Sequence, residues 1–221
     1  MEYITAGREI FQQGGWVMYV LLLCSLMVTA VGVERALYFR RADAGRGFAL
    51  AFSRRVLSGS FAEAMSLVVK GSGFLPEIIA AAVQKHSSEK ASHYMELQSG
   101  IALSKLRQRL YYLSVIVTLA PLLGLLGTIS GMISSFSVFN LASGQASAIT
   151  GGVGEALIAT AMGLCVAIIA LVVHAYFAQR VENIVTDMEQ CFSLAEEYKD
   201  ELAKAYEPCF AETAEMEGSL I

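Results

Sequence analysis

The chain has 221 residues, 55% of them hydrophobic and 16% charged, with a mean hydropathy of +0.54. That is the composition of a polytopic membrane protein with a modest soluble part. A net charge of −4 offers no basic face for a nucleic acid.

Residues 1–15 are short and polar and are read as a periplasmic N-terminus. The uncharged run Trp16–Val33 follows and is just long enough to span a bilayer; with its flank it defines a first transmembrane helix at 16–39. A signal peptide is the rival reading, since Val28-Thr29-Ala30 loosely resembles a cleavage site. The basic residues Arg35, Arg40 and Arg41 come after the run, however, which retains it as a helix with its N-terminus outside.

Residues 40–109 carry 11 of the 16 lysines and arginines, so the positive-inside rule makes them a cytoplasmic helical domain. Within it, Ser60-Phe61-Ala62-Glu63 reads as a capping box opening a short helix that Gly71-Ser72-Gly73 ends. Pro76 sits near the start of the next helix, Glu77 to about Lys85. From about Glu89 the periodicity predicts one long helix continuing directly into a second span.

From Leu110 to Gln179 the one formal charge is Glu155. The apolar segments 110–139 and 155–179 are each long enough to cross a hydrocarbon core of about 30 Å. The uncharged piece 140–154 is then a short periplasmic connection. A carboxylate at the head of a membrane helix is costly and needs a functional reason, although a helix-start carboxylate favoured by the dipole is the simpler alternative. Gly124, Gly127, Gly131, Ser134 and Ser135 form a small-residue ridge on the second span. Ala156, Ala159, Thr160, Gly163, Ala167 and Ala170 form another on the third, and two such ridges predict close helix pairing. Residues 180–221 hold 11 acids against two lysines after Arg180. Val181, Val185, Met188, Phe192, Ala195 and Leu202 recur there as a helical packing stripe that ends near Pro208. The reading is of an all-α membrane protein with three spans and a cytoplasmic, helical, acidic tail.

Nothing calls for a cofactor or a metal. Cys24, Cys165, Cys191 and Cys209 lie far apart, His86 and His93 have no metal-ligand company, and His174 fits an interfacial packing role. No nucleophile–base pair or phosphate loop suggests an enzyme.

Ala120–Phe136 and Gly154–Leu164 together resemble the MotA/TolQ/ExbB proton channel family. The three-span layout and Glu34-Arg35 are similar to its ExbB and TolQ branch. The resemblance implies a homopentamer around a central pore, enclosing the single-span helices of an ExbD- or TolR-like dimer, each with a membrane aspartate. Proton flow then drives work passed to a TonB- or TolA-like protein. Thr128 and Thr160 are implied as pore-facing hydroxyls near that aspartate, and Glu155 as the polar residue at the outer end of the third span. The family's usual aromatic in the second span is Ser130 here, and its usual proline in the third is Ile169. A hydroxyl can relay a proton but cannot store one, so the titratable group must come from a partner. The threonines could equally bond the carbonyl three or four residues back. A flagellar-type stator subunit and a non-conducting scaffold for a partner helix are the alternative functions.

Overall fold

At the ends of two helices of this chain another group takes over the terminal carbonyls. The computed structural model describes residues 15–85, 88–141 and 146–206; of 85, 88–89, 138–141, 146–150 and 155 it describes the backbone alone. The predicted periplasmic start at 1–14, His86, and the tail beyond 206 with Pro208 and Cys209 lie outside the described residues. Helix α1 spans Val17–Ala42, α2 Arg46–Leu57, α3 Phe61–Lys70, α4 Phe74–Lys85, α5 Ser88–Arg107, α6 Leu110–Leu141 and α7 Ala146–Glu197. A short helical turn at 199–206 follows. The protein is all-helical among the described residues. Three helical stretches, Val17–Leu57, Lys90–Ser137 and Gly151–Glu197, are long and apolar enough to cross a membrane.

The chain divides into two compact units, one of residues 1–34 and 109–177, the other of 35–108 and 178–221. In the second unit, α1 ends on Arg40 and Arg41, whose charge suits the negative end of the helix dipole. Asp43 then turns the chain, one carboxylate oxygen accepting from the Gly45 N–H at 2.7 Å and the other from Arg180 at 3.0 Å. At the end of α2, the Ser60 N–H donates to the Arg55 carbonyl and the Gly59 N–H to that of Val56. With Gly59 at φ +75° this is a Schellman motif, which only a left-handed residue at that place allows.

The same motif corrects the predicted capping box. Ser60 does precede α3, but its side chain makes no capping bond. Its N–H, which Glu63 would have accepted, is already given to Arg55. Glu63 pairs instead with the Arg55 guanidinium at 3.2 Å. The next helix starts at Phe74 rather than Glu77, so Pro76 lies in a first turn that needs no N–H from it.

The predicted continuous helix from Glu89 into the second span is also interrupted, at a two-residue turn, Gln108–Arg109. Arg35 supplies the reason. It is 4% exposed, and its Nη1 donates to the carbonyls of Lys105 (3.1 Å) and Leu106 (3.4 Å). Those are the acceptors that the amides of 109 and 110 would use in an unbroken helix. The guanidinium also lies 4.8 Å from the Tyr38 ring centre.

The core of this unit gathers Phe39, Phe52, Val56, Met65, Ile79 and Leu106, each at most 1% exposed. The α7 tail closes it with a stripe of Val181, Ile184, Met188, Cys191 and Ala195, and Leu202 of the turn at 199–206 is buried as well. Val185 and Phe192, predicted on that stripe, are only half-buried, and Ile184 and Cys191 take their places. Cys191 points its Sγ at the Ala49 carbonyl, 3.9 Å away. Burial pushes its thiol up to about 12.

In the first unit α1, α6 and α7 pack through Leu21, Val28, Leu113, Ile116, Ala120 and Val166. Large apolar side chains cover much of its outside, Leu23, Leu122, Ile133 and Ile168 among them, each more than half exposed. Exposed aromatic residues mark the ends of the apolar stretches: Trp16 on α1, Tyr111 and Tyr112 on α6, and Tyr176 on α7.

Candidate pore-lining helix pair

Helices α6 and α7 run antiparallel and interlock through atoms that leave no room for side chains. A Cβ at Gly163 would sit 2.6 Å from the Ala120 carbonyl oxygen and 3.0 Å from the Gly124 Cα. One turn further along α6, a Cβ at Gly124 would meet the Ala159 oxygen and the Thr160 Cα, both at 3.1 Å. At Gly127 it would fall 2.5 Å from the Ala159 Cβ, and at Gly131 3.1 Å from the Gly152 oxygen. The two ridges read from the sequence therefore face one another within a single chain. Of the six packing residues predicted, Gly124, Gly127, Gly131, Ala159 and Gly163 meet here, and Ala167 is buried on the same helix. Backbone-to-backbone approach of this kind replaces the hydrophobic drive that lipid cannot supply.

Gly152 is the member that sequence reasoning missed. It opposes Gly131 and Ser135, and the buried Ser135 hydroxyl donates to the Gly131 carbonyl at 2.8 Å. The glycine-rich 151–154 reads as a loop, yet α7 already runs from Ala146. The four-residue step from Gly152 to Ala156 was the available signal.

The third helix closes on this pair. The Trp16 indole N–H donates to the Ser130 hydroxyl at 3.3 Å, and a Cβ at Gly127 would come within 3.6 Å of Val17. Near the opposite end, a Cβ at Gly32 would touch Val173 at 3.4 Å, and Arg109 bridges to Glu34 at 2.9 Å.

The two threonines sit differently. Thr160 lies at the helix contact, with its Oγ1 3.2 Å from the Gly124 carbonyl across the interface and 3.3 Å from its own Ala156 carbonyl. One proton serves both acceptors, so the hydroxyl can switch between helices without moving its backbone. Thr128 is one turn beyond Gly124 on the outward side and donates to the Leu125 carbonyl at 2.6 Å. Ile169, where a proline was expected, is 55% exposed on an uninterrupted α7, whereas α6 carries Pro121. Glu155 occupies α7 one residue before the buried Ala156; its side chain lies outside the described residues.

Residues 57–190 match the MotA/TolQ/ExbB proton channel family. A biopolymer transport protein of Synechocystis sp., ExbB-like 1, is 32% identical over 177 residues, covering 74% of this chain and 67% of that protein. An ExbB homologue of Methanothermobacter thermautotrophicus is 25% identical over 193 residues, 86% of this chain and 69% of its own length. The Tol-Pal system protein TolQ of Pseudomonas aeruginosa is 34% identical over 82 residues, 37% of this chain and 36% of that protein. The family match takes in the stretches of α6 and α7 that carry the interlocked glycines. The family comprises channel and transport subunits, and with the three apolar helices they make this an inner-membrane protein. The chain belongs to the MotA/TolQ/ExbB proton channel family, in its ExbB branch.

Proposed function

We propose that this protein is the channel subunit of a proton-driven motor of the TonB or Tol type. In this reading five copies form a ring around a pore that holds an ExbD- or TolR-like dimer, each partner helix bringing one membrane aspartate. Proton passage past that aspartate drives the partner, which passes work to a TonB- or TolA-like protein. Residues 1–15 and 140–154 face the periplasm, and 40–109 and 180–221 the cytoplasm, as the charge distribution favours.

The observation that carries the reading is the Thr160 hydroxyl, held between two backbone carbonyls of a helix pair too close for any side chain. Such a group orients a proton without storing one. Thr128, half-exposed one turn from Gly124, supplies the second hydroxyl, and Glu155 sets the outer entrance. A partner must provide the titratable site, because from Leu110 to Gln179 this chain has one carboxylate only.

The test separates assembly from work. Thr→Val keeps the branching and volume but removes donor and acceptor, at a cost of about 0.6–2 kcal/mol for the lost bond. Thr160→Val and Thr128→Val are expected to co-purify with the partner at normal yield and to lose proton-driven uptake or envelope function. Thr→Ser retains part of it, and Glu155→Gln has a milder effect. Wild-type work by both valine variants would refute the role of the threonines.

A further inference from the structure

The second unit holds a cleft with opposite charges on its two walls. It lies between α4 and α5 and has a volume of about 210 Å³. Phe74, Glu77 and Ile78 line it from α4, and Gln98, Ala102 and Lys105 from α5. Spacings of three and four residues keep each set on one face of its helix. Ile78 and Ala102 are buried and give the cleft an apolar surface, whereas Glu77 and Lys105 are exposed. Arg55, Arg107 and Arg180 of this unit pair with Glu63, Glu182 and Asp43. Glu77 and Lys105 share the cleft without meeting: among the described residues, neither has an opposite charge within 4.0 Å.

The walls are fixed from behind. Arg35 donates to the Lys105 carbonyl at 3.1 Å, and its guanidinium stands over the Tyr38 ring, 4.8 Å from the centre. Tyr38 in turn meets the Phe74 ring, with centres 6.5 Å apart and planes at 57°. One buried arginine thus ties the backbone under Lys105 to the aromatic end of the opposite wall. A cleft held in this way exists before anything enters it, which lowers the ordering cost of binding. Its size admits only a small molecule, since pockets for drug-sized ligands begin at about 300 Å³.

The chemistry of the walls selects the occupant. A simple anion is repelled by Glu77, a simple cation by Lys105, and an uncharged polar molecule leaves the apolar surface unused. We infer that the α4–α5 cleft binds a small zwitterion with an apolar body, of the class of the aliphatic and aromatic α-amino acids. The ligand's carboxylate goes to Lys105, its ammonium to Glu77, and its side chain against Phe74, Ile78 and Ala102. The Gln98 amide can donate a second bond to the carboxylate. Both ends are then held by charge-assisted hydrogen bonds, about twice as strong as neutral ones. The cleft lies wholly in the second unit and the inference stands without the proposed proton path.

Isothermal titration of the detergent-purified, partner-containing complex tests it, with L-leucine and L-phenylalanine as probes. Both are expected to bind. N-acetyl-L-leucine, which lacks the ammonium, and L-leucinamide, which lacks the carboxylate, are expected to bind at least tenfold more weakly, as is glycine, which lacks the apolar body. Glu77→Gln and Lys105→Met each change an exposed residue of a helix, and an unchanged melting temperature checks that the fold is kept. Glu77→Gln is expected to weaken leucine at least tenfold and to leave N-acetyl-L-leucine as it was; Lys105→Met does the same for leucine and spares leucinamide. No heat from either amino acid at concentrations up to about 10 mM would overturn the inference. Equal binding of leucine and its two blocked derivatives would overturn it as well. So would wild-type affinity for leucine in both variants, which would place the binding elsewhere on the protein.

Discussion

Replacing Gly163 with alanine tests the helix pair most directly. The added Cβ would lie 2.6 Å from the Ala120 carbonyl oxygen and 3.0 Å from the Gly124 Cα, both backbone atoms that cannot rotate away. Restoring ordinary contact at about 3.4 Å or more means moving α7 outward by several tenths of an ångström, which also loosens the contacts at Gly124 and Gly127. Overpacking of this kind costs about 1–3 kcal/mol. Alanine's better helix propensity returns about 1 kcal/mol at most, wherever in a helix it is placed. Gly154→Ala supplies that second effect alone, since a Cβ there meets nothing within 4 Å. The difference between the two variants therefore isolates the clash. For a protein of this size it corresponds to roughly 2–10 °C in melting temperature. Thermal unfolding of the detergent-purified protein, followed by the fluorescence of the single tryptophan, reads it out. Gly131→Ala, with its nearest atom at 3.1 Å, belongs between them. Equal melting of Gly163→Ala and Gly154→Ala would refute the interlock.

Further outcomes follow from the second unit. Arg35→Met keeps the apolar stem but leaves the Lys105 and Leu106 carbonyls without their donor. It is expected to cost about 1–3 kcal/mol and to speed proteolysis at the α5 end, with Arg35→Lys recovering only part because an ammonium cannot fork. Cys191 is expected to resist alkylation at pH 8 until the protein unfolds. Its folded value of about 12 lies above its ordinary 9.0, so its contribution to stability is complete below pH 9 and is lost as pH rises toward 12. Denaturation of a Cys191→Ala variant, compared with the parent at pH 8 and 10.5, should show a smaller alkaline loss. Burial raises the Asp187 carboxyl above its usual range, with Arg46 opposing and Asp43 assisting. A raised carboxyl stabilises most at low pH, so Asp187→Asn should gain more stability at pH 7 than at pH 4. A larger gain at pH 4 would contradict that sign.

Properties that depend on neighbours along the chain were legible in the sequence. An uncharged run such as Trp16–Val33 has one stable state in a bilayer, because only a helix satisfies its own backbone there. The absence of charge between Leu110 and Gln179, broken once at Glu155, marks the other two spans in the same way. Spacings of three and four also placed the glycines and alanines of α6 and α7 on ridges, and a ridge with no side chains has little use except close approach. The family resemblance rests on those same residues.

Tertiary structure decided which partner each group actually takes. The capping box failed because the Ser60 N–H was already committed to Arg55, a bond made by the preceding helix. The long helix broke at Gln108–Arg109 because a buried arginine on α1 claimed two carbonyls about 70 residues away in sequence. The tail stripe shifted from Val185 and Phe192 to Ile184 and Cys191 because its register is set by the core it closes, where a thiol fits beside Ala49. Gly152 joined the ridge because α7 begins before the segment that composition marks as a loop. Hydropathy and periodicity are sums over neighbours and so fix which stretches are helices. A hydrogen-bond acceptor or a packing face can be used only once, and which group reaches it first depends on the whole fold.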